Sequence, residues 1–270
     1  MSTPRSEATR SVDRAMDLLF ALANQPNFTG VTALATQLGL GKSTVHRLLQ
    51  TLVKEGMVAF NPNLQAYGLG GRSLQLGLTY QEHHPLIPIA RPTLEKFRDL
   101  TTETATIYLP IGLSCVALDN AVGTDGPRVP SRDAKAPLHV GAFGKVLYAY
   151  APEEFRAHYQ AEGRKWDGKA VPPIPTEEEC AEIRERGYAL SMGELRPRTN
   201  GIGFPLLNGQ GEILASVSIA GRSERWTEER MNEFLPELLL GMEELSRKTV
   251  DMEPDQKVLL GLAERGLLPA

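Results

Sequence analysis

The chain reads as an α+β protein in two parts: an N-terminal winged helix-turn-helix, then a larger domain with a mainly antiparallel sheet flanked by helices. Three observations lead to this. At 270 residues with 41% hydrophobic content, the chain is long for one domain and sufficient for two modest cores. Between positions 11 and 70, a short helical pattern, a glycine and a longer helical pattern follow one another. Beyond position 100, β-branched and apolar runs separated by turns alternate with amphipathic stripes.

Residues 1–10 are small, polar and charged and are expected to form a loose, disordered arm. Ser11 is placed to cap a helix from Val12, with Val12, Ala15, Met16, Leu19, Leu22 and Ala23 inward. After a loop from Asn24 to Gly30, Thr32 is expected to cap a short helix carrying Leu34, Ala35 and Leu38 inward, and Gly39 to supply its left-handed end. From Gly41 to Glu55, Val45, Leu48, Leu49 and Leu52 recur at spacings of three and four, so they share one helix face. Ser43, His46, Arg47, Gln50 and Lys54 take the opposite face. Arg and His meet guanine acceptors, Gln meets adenine bidentately, and Lys, Ser and Thr hold phosphates. Any solvated helix has a polar face, but short helix, glycine turn and longer helix is helix-turn-helix grammar, and it favours a reader of the major groove. Met57, Val58 and Phe60, the turn Asn61-Pro62-Asn63, and Leu64 to Leu69 with Tyr67 fit the two strands of a wing. The candidate DNA contacts are Lys42, Ser43, Thr44, His46, Arg47, Gln50 and Tyr67. Gly41-Lys42-Ser43 also matches the end of a phosphate loop, but Thr36 stands where its first glycine belongs and a helix precedes it.

Charge is divided unevenly. The net charge is -4, yet residues 1–70 carry six Lys or Arg against four acids, leaving 23 basic and 29 acidic residues in the remainder. A mildly basic end on an acidic body suits DNA contacts confined to one domain. Cys115 and Cys180 have neither disulfide-framework nor zinc spacing, so reduced, buried thiols are expected. No signal-peptide core and no membrane-length apolar run appears, which points to a soluble cytoplasmic protein.

The leucines of 69–79 suggest a short connector helix, and 81–85 a hinge holding His83 and His84, so residues 71–85 are taken as the linker. Pro85 to Leu100 returns to helical spacing. Thr104 to Leu109 and Cys115 to Leu118 read as a hairpin, and Asn120 to Lys135 as turns. A helix is expected from about Ala142 to Tyr150, an acidic one from Thr176 to Arg186 ended by Gly187, strands over 201–207 and 212–220, and a long helix capped by Thr227. Residues 86–250 form the second domain, and 251–270 a tail with a weak apolar pattern.

Ser11-Val12-Asp13-Arg14-Ala15, Ser43 to Leu49, Leu52, Gly56 and Tyr67-Gly68-Leu69-Gly70 together resemble the winged helix-turn-helix of the IclR family of bacterial transcriptional regulators. The resemblance continues through Pro137-Leu138-His139, Gly144-Lys145, Arg186 to Ala189, Gly193-Glu194-Leu195, Pro205 and Ser216 to Gly221, and covers roughly residues 11–250. It implies a GAF-like effector-binding second domain, double-stranded operator DNA as a partner, and homodimers that can pair into tetramers. The implied pocket falls on Ala142, Phe143, Ser191, Gly201, Ser218 and Ala220. Phe143 and Phe204 either narrow it or stack on an aromatic ligand, or are simply core. The expected effector is an organic acid, aromatic acids included, held through backbone amides at the Ala142 helix start.

Two other functions compete. One is an enzyme on a small organic acid with an accessory DNA domain; the other is a protein-interaction module that docks through its helix-turn-helix. His139, Ser218 and Glu194 supply the residue types of a hydrolase triad without a G-x-S-x-G elbow, and Asp133, His139 and Glu194 form a metal set only by coincidence of folding. No catalytic residue, metal or cofactor is therefore expected, and nothing points to a membrane partner.

Overall fold

A computed structural model describes residues 7–254 apart from 26, 125–134, 163, 164, 167, 168 and 171. The chain forms two compact units that part between His84 and Pro85.

The first unit opens with α1 (Glu7–Ala23), which begins before Ser11 and so takes in the last residues assigned to the arm. Its buried side is Leu18, Ala21 and Leu22, while Val12, Met16 and Phe20 face outward. The inward stripe expected through Val12 and Met16 is therefore corrected. Apolar residues lie on both sides of this helix, and spacing alone does not say which side the core takes. α2 (Val31–Leu38) is capped by Gly30 in extended conformation with no side-chain bond, so Thr32 lies inside the helix rather than at its cap. Gly39 adopts the left-handed conformation (φ 62°, ψ 28°), and Leu40 N–H reaches Ala35 O at 3.0 Å, closing the turn before α3 (Lys42–Lys54). Leu18, Leu22, Leu34, Val45, Leu49 and Val58 meet in one small core.

The wing is β1 (Val58–Asn61) paired antiparallel with β2 (Ala66–Leu69). Asn61 Oδ1 accepts from the amides of Asn63 (3.0 Å) and Leu64 (3.2 Å), which tightens the turn between them. α4 (Gly71–His83) is longer than the expected connector and runs through most of the predicted hinge. It buries nothing, and Leu74, Leu76, Leu78 and Tyr80 are exposed.

The second unit begins with α5 (Leu86–Thr101), followed by the hairpin β3 (Thr104–Ile111) and β4 (Ser114–Ala121), whose strands run further toward a tighter turn than expected. Then come β5 (Lys135–Pro137), α6 (Gly141–Tyr150), α7 (Glu153–Glu162), the short pair β6 (Lys165–Trp166) and β7 (Lys169–Ala170), and α8 (Glu177–Arg186). α8 carries a capping box between Thr176 and Glu179 and ends at left-handed Gly187. β8 (Ala189–Met192), β9 (Thr199–Leu207), β10 (Ile213–Arg222) and α9 (Glu228–Arg247), capped by Thr227, complete it.

The six-stranded sheet runs β5-β4-β3-β10-β9-β8 and every pairing is antiparallel. One face packs Ile107, Phe204, Leu206, Val217 and Ile219 with Leu94 and Phe97 of α5 and Leu238 and Met242 of α9. The other face meets α6. Cys115 and Cys180 are free and buried on this second side, and burial pushes both thiols up from the ordinary range. The turn-rich run before β5 and the C-terminal apolar pattern fall largely or wholly outside the described residues. Among the described residues, no helix is long and apolar enough to cross a membrane.

Candidate nucleic-acid interface and small-molecule pocket

Two positions of α3 anchor it: Val45 and Leu49 are fully buried, and Leu48 and Leu52 pack partly against the same core. That orientation leaves Lys42, Ser43, His46, Arg47 and Gln50 exposed, with Thr44 half-buried at the first turn. Thr51 Oγ donates to Arg47 O (3.2 Å), so this hydroxyl serves the helix itself. His46 and Gln50 share a concave surface with Phe60, Gln65 and Tyr67 of the wing.

Tyr67 departs from expectation. Its backbone exchanges hydrogen bonds with Thr29 (2.8 and 2.9 Å), its ring packs on Phe60 with centroids 4.9 Å apart, and the residue is only 7% exposed. It forms part of the core and the wall of the concave surface, and is not an outward contact. Gln65, at the end of the wing turn with φ 49°, stands out instead, its side chain donating to Pro62 O at 2.8 Å.

In the second unit, sheet register and one helix start make a cavity of about 60 Å³. Cross-strand pairs Ser191↔Gly201, Gly201↔Ala220 and Ser218↔Thr106 set small and hydroxyl-bearing residues side by side on the face toward α6. Gly141, Ala142 and Phe143 close it from the first turn of α6, where backbone amides lack partners within the helix. Gly141 has φ 75°, which favours glycine at this bend. The close fit of helix to sheet depends on Gly203, where an added Cβ would lie 2.7 Å from Ala142 C and 2.8 Å from its O.

Six of the seven expected pocket residues line this cavity: Ala142, Phe143, Ser191, Gly201, Ser218 and Ala220. Phe204 does not. It is 1% exposed on the opposite sheet face, because strand side chains alternate and it sits three residues from Gly201. Sequence reasoning missed Thr106, Tyr108, Gly141, Leu195, Arg196, Thr199 and Asn200. Alternation along 104–111 puts Thr106 and Tyr108 on one face, but only the pairing with Ser218 and Ser216 identifies which face that is. Tyr108 and Phe143 stack at 3.9 Å between centroids with 8° between planes.

Comparison with known proteins gives these two sites a common setting. Residues 11–62 match the IclR helix-turn-helix domain, and residues 78–247 match the bacterial transcriptional regulator IclR C-terminal domain. The chain belongs to the IclR family. It is 29% identical over 247 residues to the HTH-type transcriptional regulator BhcR of Paracoccus denitrificans, covering 89% of this chain and 88% of that protein. It is 26% identical over 239 residues to the transcriptional repressor IclR of Escherichia coli, with 86% and 87% covered. An IclR-type regulator from Alicyclobacillus acidocaldarius superposes with a TM-score of 0.67 at 26% identity, over 88% of this chain and 98% of that one. A family member from Brucella abortus superposes at 0.74 with 23% identity over 88% and 92%, a likeness of fold.

As an IclR-family protein it is a DNA-binding transcriptional regulator, not an enzyme, and its C-terminal domain is of the effector-binding type, consistent with modulation by a small molecule. The three residues that supply the types of a hydrolase triad are each engaged elsewhere. His139 is buried between Tyr159 Oη (2.7 Å to Nδ1) and Pro172 O (2.9 Å to Nε2), Ser218 Oγ donates to Ile202 O (3.0 Å), and Glu194 pairs with Lys145 (2.5 Å). Asp133, weighed with two of them as a metal set, lies outside the described residues.

Proposed function

We propose that α3 reads operator DNA through His46, Arg47 and Gln50 at base edges, while Lys42, Ser43 and Thr44 hold phosphates at its entry. The observation that carries this is the pair of opposed faces: buried Val45 and Leu49 on one side, exposed His46, Arg47 and Gln50 on the other. Residues 71–85 act as the linker to the effector domain. Arg47→Ala is expected to abolish specific operator retention in a gel-shift titration while leaving the protein folded; unchanged affinity would overturn the assignment.

One recognition helix covers few base pairs, so two-fold pairing is the route to operator-length specificity. We infer a homodimer, with tetramers as a further association. Val12, Met16 and Phe20 form an outward apolar stripe at spacings of four on α1, and Leu74, Leu76, Leu78 and Tyr80 stand exposed on α4, which supports a second copy covering both helices.

For the effector domain we propose a compact organic acid. The small cavity, the α6 first-turn amides and Arg196 in the lining support it. An aromatic acid has less support, because Phe204 lies on the other sheet face and Phe143 already stacks on Tyr108.

A further inference from the structure

One arginine lines the cavity and a second stands on the same sheet face beside a lining residue, in a domain whose overall balance is acidic. Arg196 lines the cavity from the loop between β8 and β9. Arg222 ends β10, two residues after Ala220 and four after Ser218, so strand alternation puts it on the cavity face. Its cross-strand partner, Thr199, is itself a lining residue.

The loop that presents Arg196 is tied down. Gly193 N–H donates to Thr199 O (3.1 Å), Thr199 N–H to Arg196 O (3.1 Å), and Ser223 N–H to Arg198 O (3.0 Å), which joins the loop to the end of β10. Arg198 between them holds φ 114°, a conformation costly for a residue with a Cβ and found where surrounding bonds over-determine the backbone.

We propose that the effector is a dianion, a short dicarboxylic acid, with one carboxylate inside the cavity and the second at the rim between Arg196 and Arg222. This rests on the organic-acid reading above and narrows it. Guanidinium groups meet carboxylates through paired, charge-assisted bonds.

The test is calorimetry on the full-length protein with two matched series, malonate, succinate and glutarate against propionate, butyrate and valerate, in wild type and in Arg222→Gln. Arg222 is exposed, so the variant should fold, and its thermal melt checks this. The expected result is that at least one diacid binds tenfold or more tightly than its monoacid, and that Arg222→Gln brings the ratio to within about twofold while leaving monoacid affinity unchanged. Monoacids binding as tightly as every diacid, or a ratio unmoved by Arg222→Gln, would overturn the dianion proposal and leave the organic-acid reading standing. No binding of any acid in either series would overturn both.

Discussion

Tyr108 on β3 and Phe143 on α6 lie face to face, centroids 3.9 Å apart, and their stack is one wall of the cavity beneath α6. Two rings from different elements thus occupy space that a larger ligand would otherwise take. Phe143 is 6% exposed and packs in the same cluster as Tyr108.

Phe143→Ala should therefore trade stability for room. Loss of a buried phenyl group is expected to cost about 3 to 5 kcal/mol in denaturant unfolding, with the stack itself contributing roughly 0.5 to 1.5 kcal/mol beyond its buried area. The variant should acquire measurable binding of benzoate that wild type lacks. Equal benzoate binding by both proteins would show that the ring is not what limits ligand size.

Gly203→Ala tests the seating of α6 on the sheet. The new methyl would press on the Ala142 carbonyl and on Phe143 N at 2.9 Å, both backbone atoms that cannot rotate away. A destabilisation of about 1 to 3 kcal/mol is expected from overpacking, together with loss of acid binding measured by calorimetry. Retained acid affinity would mean that the helix start does not shape the cavity.

Lys42→Ala addresses the other domain. As a phosphate contact, its loss should weaken binding to all DNA sequences alike and lower the salt slope by about one unit. A fluorescence-anisotropy titration at several salt concentrations measures this, and an effect confined to one operator base pair would contradict it.

Much of the fold could be read from the residues because local and tertiary demands agree there. In α3 a single apolar stripe leaves no choice of face, and Thr176 with Glu179, Thr227 and Gly187 mark helix ends through backbone chemistry that needs no tertiary partner. α1 was misread because it carries two apolar stripes, Leu18 with Leu22 facing the core and Val12, Met16 and Phe20 facing out. Phe204 was misplaced although parity was available: a residue three positions from Gly201 on one strand points the other way. Tyr108 and Arg196 needed more. A strand's face depends on which strand pairs with it, and the place of a loop arginine depends on bonds such as Ser223 N–H to Arg198 O, which join positions far apart in pattern.

A small acid bound in the second domain is expected to alter what α3 does at its operator. The direct measurement is the operator dissociation constant, using a genomic fragment retained by the purified protein, with and without a saturating acid whose binding calorimetry has established. The expected change is about 5- to 150-fold in either direction, the range of a coupling of about 1 to 3 kcal/mol. An operator affinity unchanged within twofold at saturation would show that the cavity and α3 are not coupled.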